Sequence, residues 1–84
     1  MNTKAFYLPI VVEPNEDGYL AHCSGVQGAF AEGDTLEEAI FNCIDVFKMI
    51  AAYRAERGES LGWPAIEMTA QTHLSFSIPI AVTA

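Results

Sequence analysis

The rhythm of apolar and polar positions changes twice along this chain. Phe6 to Glu13 is a compact run rich in β-branched and aromatic residues, closed by Pro14-Asn15-Glu16-Asp17-Gly18, whose Pro, Asn and Asp-Gly chemistry favours a turn. Tyr19 to Cys23 then predicts the returning strand of a hairpin. Ser24-Gly25 supplies a second reversal, and Val26 to Glu32 predicts a third short strand. Gly28 inside it marks a bulge or a close backbone approach.

From Thr35 to Arg57 the period lengthens. Leu36, Ala39, Ile40, Cys43, Ile44, Phe47, Ile50 and Ala51 recur at spacings of three and four, which predicts one long helix with a broad apolar face toward the sheet. Gly58 ends it. At about 1.5 Å per residue such a helix outruns a strand of ~20 Å, so its last turns around Arg54 are expected to overhang. Glu59 to Thr72 reads as a connecting loop carrying Gly62-Trp63-Pro64.

The last segment alternates, with Leu74, Phe76, Ile78, Ile80 and Val82 on one face and Ser75, Ser77, Pro79, Ala81 and Thr83 on the other. It predicts a fourth strand, placed at an edge because Pro79 lacks a ladder donor; Pro9 argues for a local bulge in the first strand. The expected fold class is α+β, β-β-β-α-β in a single domain over residues 1–84: one four-stranded sheet, the first strand central, the final strand beside it. The helical crossover between the third and fourth strands should be right-handed, making those two parallel.

Within Phe30-Ala31-Glu32-Gly33-Asp34-Thr35-Leu36-Glu37-Glu38, four acidic side chains crowd into seven positions. A metal site, a catalytic pair and a helix start all remain conceivable there. The helix start explains most. Thr35 and Glu38 have capping-box spacing, in which the threonine hydroxyl accepts from the Glu38 N–H and the glutamate returns to the N–H of Thr35. Asp34 and Glu37 sit where the helix dipole favours negative charge. Glu37 and Glu38 diverge by about 100° around a helix and cannot converge on one atom.

Composition adds a size constraint and a charge pattern. The 84 residues are 51 % hydrophobic and 18 % charged, which excludes intrinsic disorder yet leaves a small interior for a large apolar content. A homo-oligomer is expected, with Phe41 on the outer helix face and Phe76, Ile78 and Ile80 on the edge strand as its contacts. The net charge is −7, and from Glu13 to Asp45 there are eight acidic residues and no Lys or Arg. Such a segment repels phosphate, so direct nucleic-acid binding is not expected, whereas a basic protein partner fits. Simple solubilisation of a small domain is the bland alternative. Glu13, Glu16, Asp17 and Glu32 are the candidate partner-binding residues.

His22, Cys23, Cys43 and His73 match no zinc spacing, and neighbouring His22 and Cys23 point to opposite faces of a strand. No cofactor, metal or catalytic residue is expected. The chain shows no signal peptide, and Ala5 to Val12 is too short to span a bilayer, so a cytoplasmic protein with reduced thiols is expected.

The blocks Tyr7-Leu8-Pro9-Ile10-Val11-Val12-Glu13, Glu16-Asp17-Gly18-Tyr19-Leu20-Ala21, Gly28 and Gly33-Asp34-Thr35-Leu36-Glu37-Glu38-Ala39, and their spacing, resemble the HicB antitoxin family over residues 6 to 58. The resemblance implies a partial ribonuclease-H-like fold. It also implies a role in a type II toxin-antitoxin system, binding and masking a small basic HicA-like toxin that cleaves mRNA. This chain departs from the family at Cys23-Ser24, where an acidic residue after Pro is usual, and at Gln27-Gly28-Ala29, where Pro-Gly-Cys is usual. After Val82 no C-terminal DNA-binding segment is expected, so operator binding does not carry over. Two other readings stay open: an orphan homo-oligomeric HicB-like module, and a ribonuclease-H-like nuclease, which would need carboxylates converging on Mg²⁺.

Overall fold

The computed structural model describes residues 3 to 83 and is an α+β structure. Its elements in chain order are β1 (Lys4–Ala5), β2 (Ile10–Pro14), β3 (Tyr19–Cys23), β4 (Phe30–Gly33), α1 (Leu36–Glu56) and β5 (Ile66–Glu67). The three consecutive strands β2, β3 and β4 form an antiparallel sheet in that order, and α1 packs on one face of it, as the apolar periodicity requires. β1 and β5 form a separate antiparallel pair.

The β2–β3 turn forms as its sequence dictates. Pro14 pairs with Tyr19 across it, the Asn15 N–H donates to Gly18 O at 2.9 Å, and the Asp17 N–H donates to Asn15 Oδ1 at 3.1 Å. Between β3 and β4 two tight turns follow one another, with Gly25 and Gly28 at positive φ. They shorten the expected third strand to Phe30–Gly33 and bury Val26 as a loop plug. Gly28 thus provides a left-handed turn residue rather than a bulge.

The helix spans 21 residues, roughly 31 Å. Thr35 caps it: its hydroxyl accepts the Glu38 N–H at 3.0 Å. The Glu38 carboxylate turns back to the N–H of Asp34 at 3.4 Å, one residue earlier than the capping-box pattern predicts. At the other end the Glu59 N–H reaches Arg54 O at 2.8 Å with Gly58 at φ +71°, a Schellman closure.

Two packed clusters hold helix to sheet. Toward the helix start, Ala21, Ala39 and Cys43 are fully buried, bordered by Ile10, Val12, Tyr19 and Ala31. Farther along, Phe47, Cys23, Val26 and Ala29 form the second cluster, covered by Leu8, Ile50, Ala51, Leu61 and Trp63. The Trp63 ring stacks on Phe47 with centroids 5.8 Å apart. The connecting loop therefore folds back against the helix at Phe47, Ile50 and Ala51, while the last turns around Arg54 remain largely exposed.

Three expectations about the sheet are corrected. The expected first strand, Phe6 to Glu13, begins only at Ile10 instead of bulging at Pro9, and ahead of it Lys4–Ala5, outside the expected strand, pairs with β5, which no alternation announced. The central strand is β3, and β2 lies at an edge. Leu74 to Val82 is an extended arm rather than a ladder strand, so the parallel crossover is not formed. Among the described residues no backbone–backbone hydrogen bond involves Leu74 to Thr83. Alternation alone does not supply a partner strand, and Pro79 removes one donor midway along the arm. The arm is held by its first residues, with the Tyr7 hydroxyl donating to Ser75 O at 3.0 Å.

Candidate partner-binding face

Register decides which carboxylates meet. Glu13 is opposite Leu20, and Leu20 is opposite Glu32, so these three form one row across the sheet. Val11, His22 and Phe30 form the next row by the same pairing. Side chains directly opposite each other share a face. Ile10, Val12, Ala21 and Cys23 occupy the alternate positions and pack toward α1, which leaves both rows on the face away from the helix. Val11 and Phe30 are exposed there, Phe30 by 61 %. The result is an open sheet face with an apolar centre and the carboxylates of Glu13 and Glu32 along one side.

The acidic side continues into a cleft of about 260 Å³ at the end of the sheet, walled by Asn15, Asp17, Gly18, Tyr19, Glu32, Gly33, Asp34 and Glu38. The turn after β2 and the start of the helix close on each other here. Asn15 Nδ2 donates to Glu32 Oε2 at 3.1 Å, and Asn42 Nδ2 on the helix donates to Glu32 O at 2.9 Å. Gly18 and Gly33 make this approach possible. A Cβ on Gly33 would fall 2.8 Å from Ala39 Cα and from Glu38 C, and one on Gly18 would press on Gly33 O.

Of the four predicted partner-binding residues, the structure brings Glu32 together with Asp17 in the cleft and with Glu13 on the sheet face. Glu16 is exposed in the turn and does not line the cleft. Asp34, Thr35 and Glu38 act as the helix cap, and Asp34 and Glu38 also add charge to the cleft wall. Val11 and Phe30 were missed as site residues. Counting alternate positions outward from the turn would have found them.

Among the described residues no group of three or more His, Cys, Asp or Glu side chains converges as a metal site. Cys23 and Cys43 are buried free thiols. Burial pushes both above the ordinary thiol value, and at Cys23 the nearby Cys43 adds to the rise. The Cys43 Sγ–H donates to Ala29 O at 3.7 Å, a weak bond that ties helix to loop. Neither thiol is poised as a nucleophile.

The expected self-contact residues separate into two places. Phe76, Ile78 and Ile80 lie exposed on the arm, whereas Phe41 lies exposed on the helix and outside the groove beside the arm. Met49 and Tyr53, also exposed, continue from Phe41 at helical spacing, a stripe that the inward-facing pattern concealed. Among the described residues no helix is long and apolar enough to cross a membrane. No protein-family model, curated protein or solved structure matches the chain.

Proposed function

We propose that this protein is an antitoxin-like binding module of the HicB type that masks a small basic mRNA-cleaving toxin in the cytoplasm. The observation that carries the reading is the sheet face itself: exposed Val11 and Phe30 beside Glu13 and Glu32, continuous with the acidic cleft, in a stretch without Lys or Arg from Ala5 to Phe47. Charge of one sign steers a basic partner to the surface, and desolvated apolar contacts supply most of the affinity. Phe30 is the aromatic anchor and the carboxylates form the rim. The same face is poorly suited to hydrolysis, because its acids spread along an edge instead of converging on one cation.

The test is a binding measurement with the product of a neighbouring reading frame encoding a short basic chain. Association should slow as salt rises, with a smaller effect on dissociation. Glu13→Lys/Asp17→Lys should slow association at least ~10-fold at low salt, and Phe30→Ala should chiefly speed dissociation. Circular dichroism must first show each variant folded. Equal association rates for wild type and the charge-reversed variant would remove the steering mechanism. If no such toxin is encoded nearby and the chain rescues no ribonuclease-poisoned cell, the antitoxin reading itself falls, leaving a module whose partner is a second copy.

A further inference from the structure

The arm from Leu74 to Val82 leaves a large apolar surface uncovered. Phe76, Ile80 and Val82 are 74, 58 and 84 % exposed, although the alternation of the segment puts them all on one face. Between the body and the arm's own residues from Leu74 to Pro79 lies a groove of about 350 Å³, its body side walled chiefly by Leu8, Ile10, Val12, Ile40 and Ile44. The groove runs beside β2, whose second edge has no strand on it among the described residues.

That edge is competent to pair. Ser24 N–H donates to Pro9 O, so in the alternating antiparallel ladder Val11 and Glu13 turn their backbone groups toward β3. Ile10 and Val12 must then direct their N–H and C=O outward. Pro14 falls at an outward position as well, where its missing N–H costs no bond to β3. The side chains of Ile10 and Val12 lie on the helix side. A strand added at this edge with its apolar face on the same side would extend the layer already packed on α1.

Area identifies the occupant. The chain exposes 6406 Å², whereas a compact monomer of 9.1 kDa exposes about 4900 Å². Its radius of gyration is 14.4 Å, against about 12 Å for a compact chain of this length. One copy therefore carries an excess of roughly 1500 Å², and two copies covering that excess on each other would bury roughly 3000 Å², within the range of obligate homodimers.

We propose that two copies of this chain form a two-fold dimer by reciprocal strand exchange, Leu74 to Val82 of each lying along the open β2 edge of the other and closing its groove. Each sheet gains its fourth strand from the partner. The symmetry is self-consistent, because every copy both offers an arm and presents an edge, leaving no unmatched surface to propagate a filament. The inference stands on the arm, the edge and the area, and does not depend on whether a toxin binds the opposite face.

Sedimentation equilibrium of the full chain at micromolar concentration should give twice the 9.1 kDa chain mass, and a monomer there overturns the proposal. For the contact itself, a tagged chain with a benzophenone side chain at position 76 is refolded with an excess of untagged wild type and irradiated. Cross-links from the tagged to the untagged chain within residues 6–12 or 40–44 support exchange. Cross-links confined to the tagged chain, or directed elsewhere on the untagged one, overturn it. Ile78→Asp/Ile80→Asp should weaken dimerisation at least ~100-fold, since both side chains leave an apolar interface. A dimer of undiminished affinity in that variant also overturns the assignment.

Discussion

Replacing Gly33 by alanine adds one methyl group, and the structure specifies where it lands. The new Cβ would sit 2.8 Å from both Ala39 Cα and Glu38 C, and closer still to Ala39 N, all backbone atoms of the first helical turn. No side chain can rotate away. Ordinary contact between carbon atoms needs about 3.5 Å or more, so helix and β4 must separate by several tenths of an ångström or more. That loosens the packing of Ala39, now fully buried, and strains the Asn42 bond to Glu32 O. Overpacking of this kind costs about 1 to 3 kcal/mol, and the restricted unfolded chain returns only about 0.4 to 1 kcal/mol. A net loss of about 1.3 kcal/mol follows at the middle of these ranges, which at ~4 to 8 °C per kcal/mol lowers Tm by about 5 to 10 °C. Gly28→Ala is the informative control. Gly28 has φ +84° with nothing near its absent Cβ, so its cost is left-handed strain alone, about 1 to 2 kcal/mol before the same unfolded-state gain. Thermal and urea unfolding of both variants, followed by circular dichroism, would order them. If Gly33→Ala proved as stable as Gly28→Ala, the close approach of β4 to the helix would not constrain the fold as argued.

Other expectations are more local. Thr35→Ala removes the hydroxyl that accepts the Glu38 N–H and should destabilise by about 0.5 to 2 kcal/mol in urea unfolding, with no loss of partner binding once folded. Trp63→Ala should cost about 2 to 3 kcal/mol, less than a fully buried aromatic because Trp63 is only partly covered, while the far-ultraviolet spectrum keeps its helical form. The buried thiols make stability fall on the alkaline side: their folded pKa values lie above the unfolded ones, so their contribution is full below about pH 8.5 and is lost as pH rises through the folded values. Unfolding titrations from pH 7 to 10 should show this decline, and Cys23→Ala/Cys43→Ala should flatten it.

The hairpin, the Thr35 cap and the Gly58 stop were legible in the sequence because each is decided within a few residues. Asn15 and Asp17 build their turn locally, and a hydroxyl at Thr35 needs only the amide three positions on. The misread parts depend on distant partners. Alternation in Leu74 to Val82 fixes which side chains share a face but not whether the backbone meets a partner strand, which is decided by residues far away in the chain. Trp63 lay in a segment whose turn residues marked a loop, yet loops also pack, and only its stacking on the buried Phe47 explains where this one goes. The β1–β5 pair is two residues long, too short to leave a period. The acids of the candidate face were visible as a run, whereas their association with Val11 and Phe30 required the register set by the β2–β3 turn.

The two clusters beneath the helix differ in the size of their parts, which gives the domain a taper. At one end Ala21, Ala39 and Gly33 bring backbones almost into contact; at the other Phe47 and Trp63 act as thick spacers. A helix seated this way resembles a lever with its fulcrum at the Gly33–Ala39 contact. Thinning the spacer at Trp63 should swing the far end while leaving the fulcrum in place. Ile40 and Ile44, which wall the groove, lie near that fulcrum. The groove should therefore keep its shape when the loop carrying Trp63 detaches, and the chain's one tryptophan should report that detachment optically before the sheet itself comes apart.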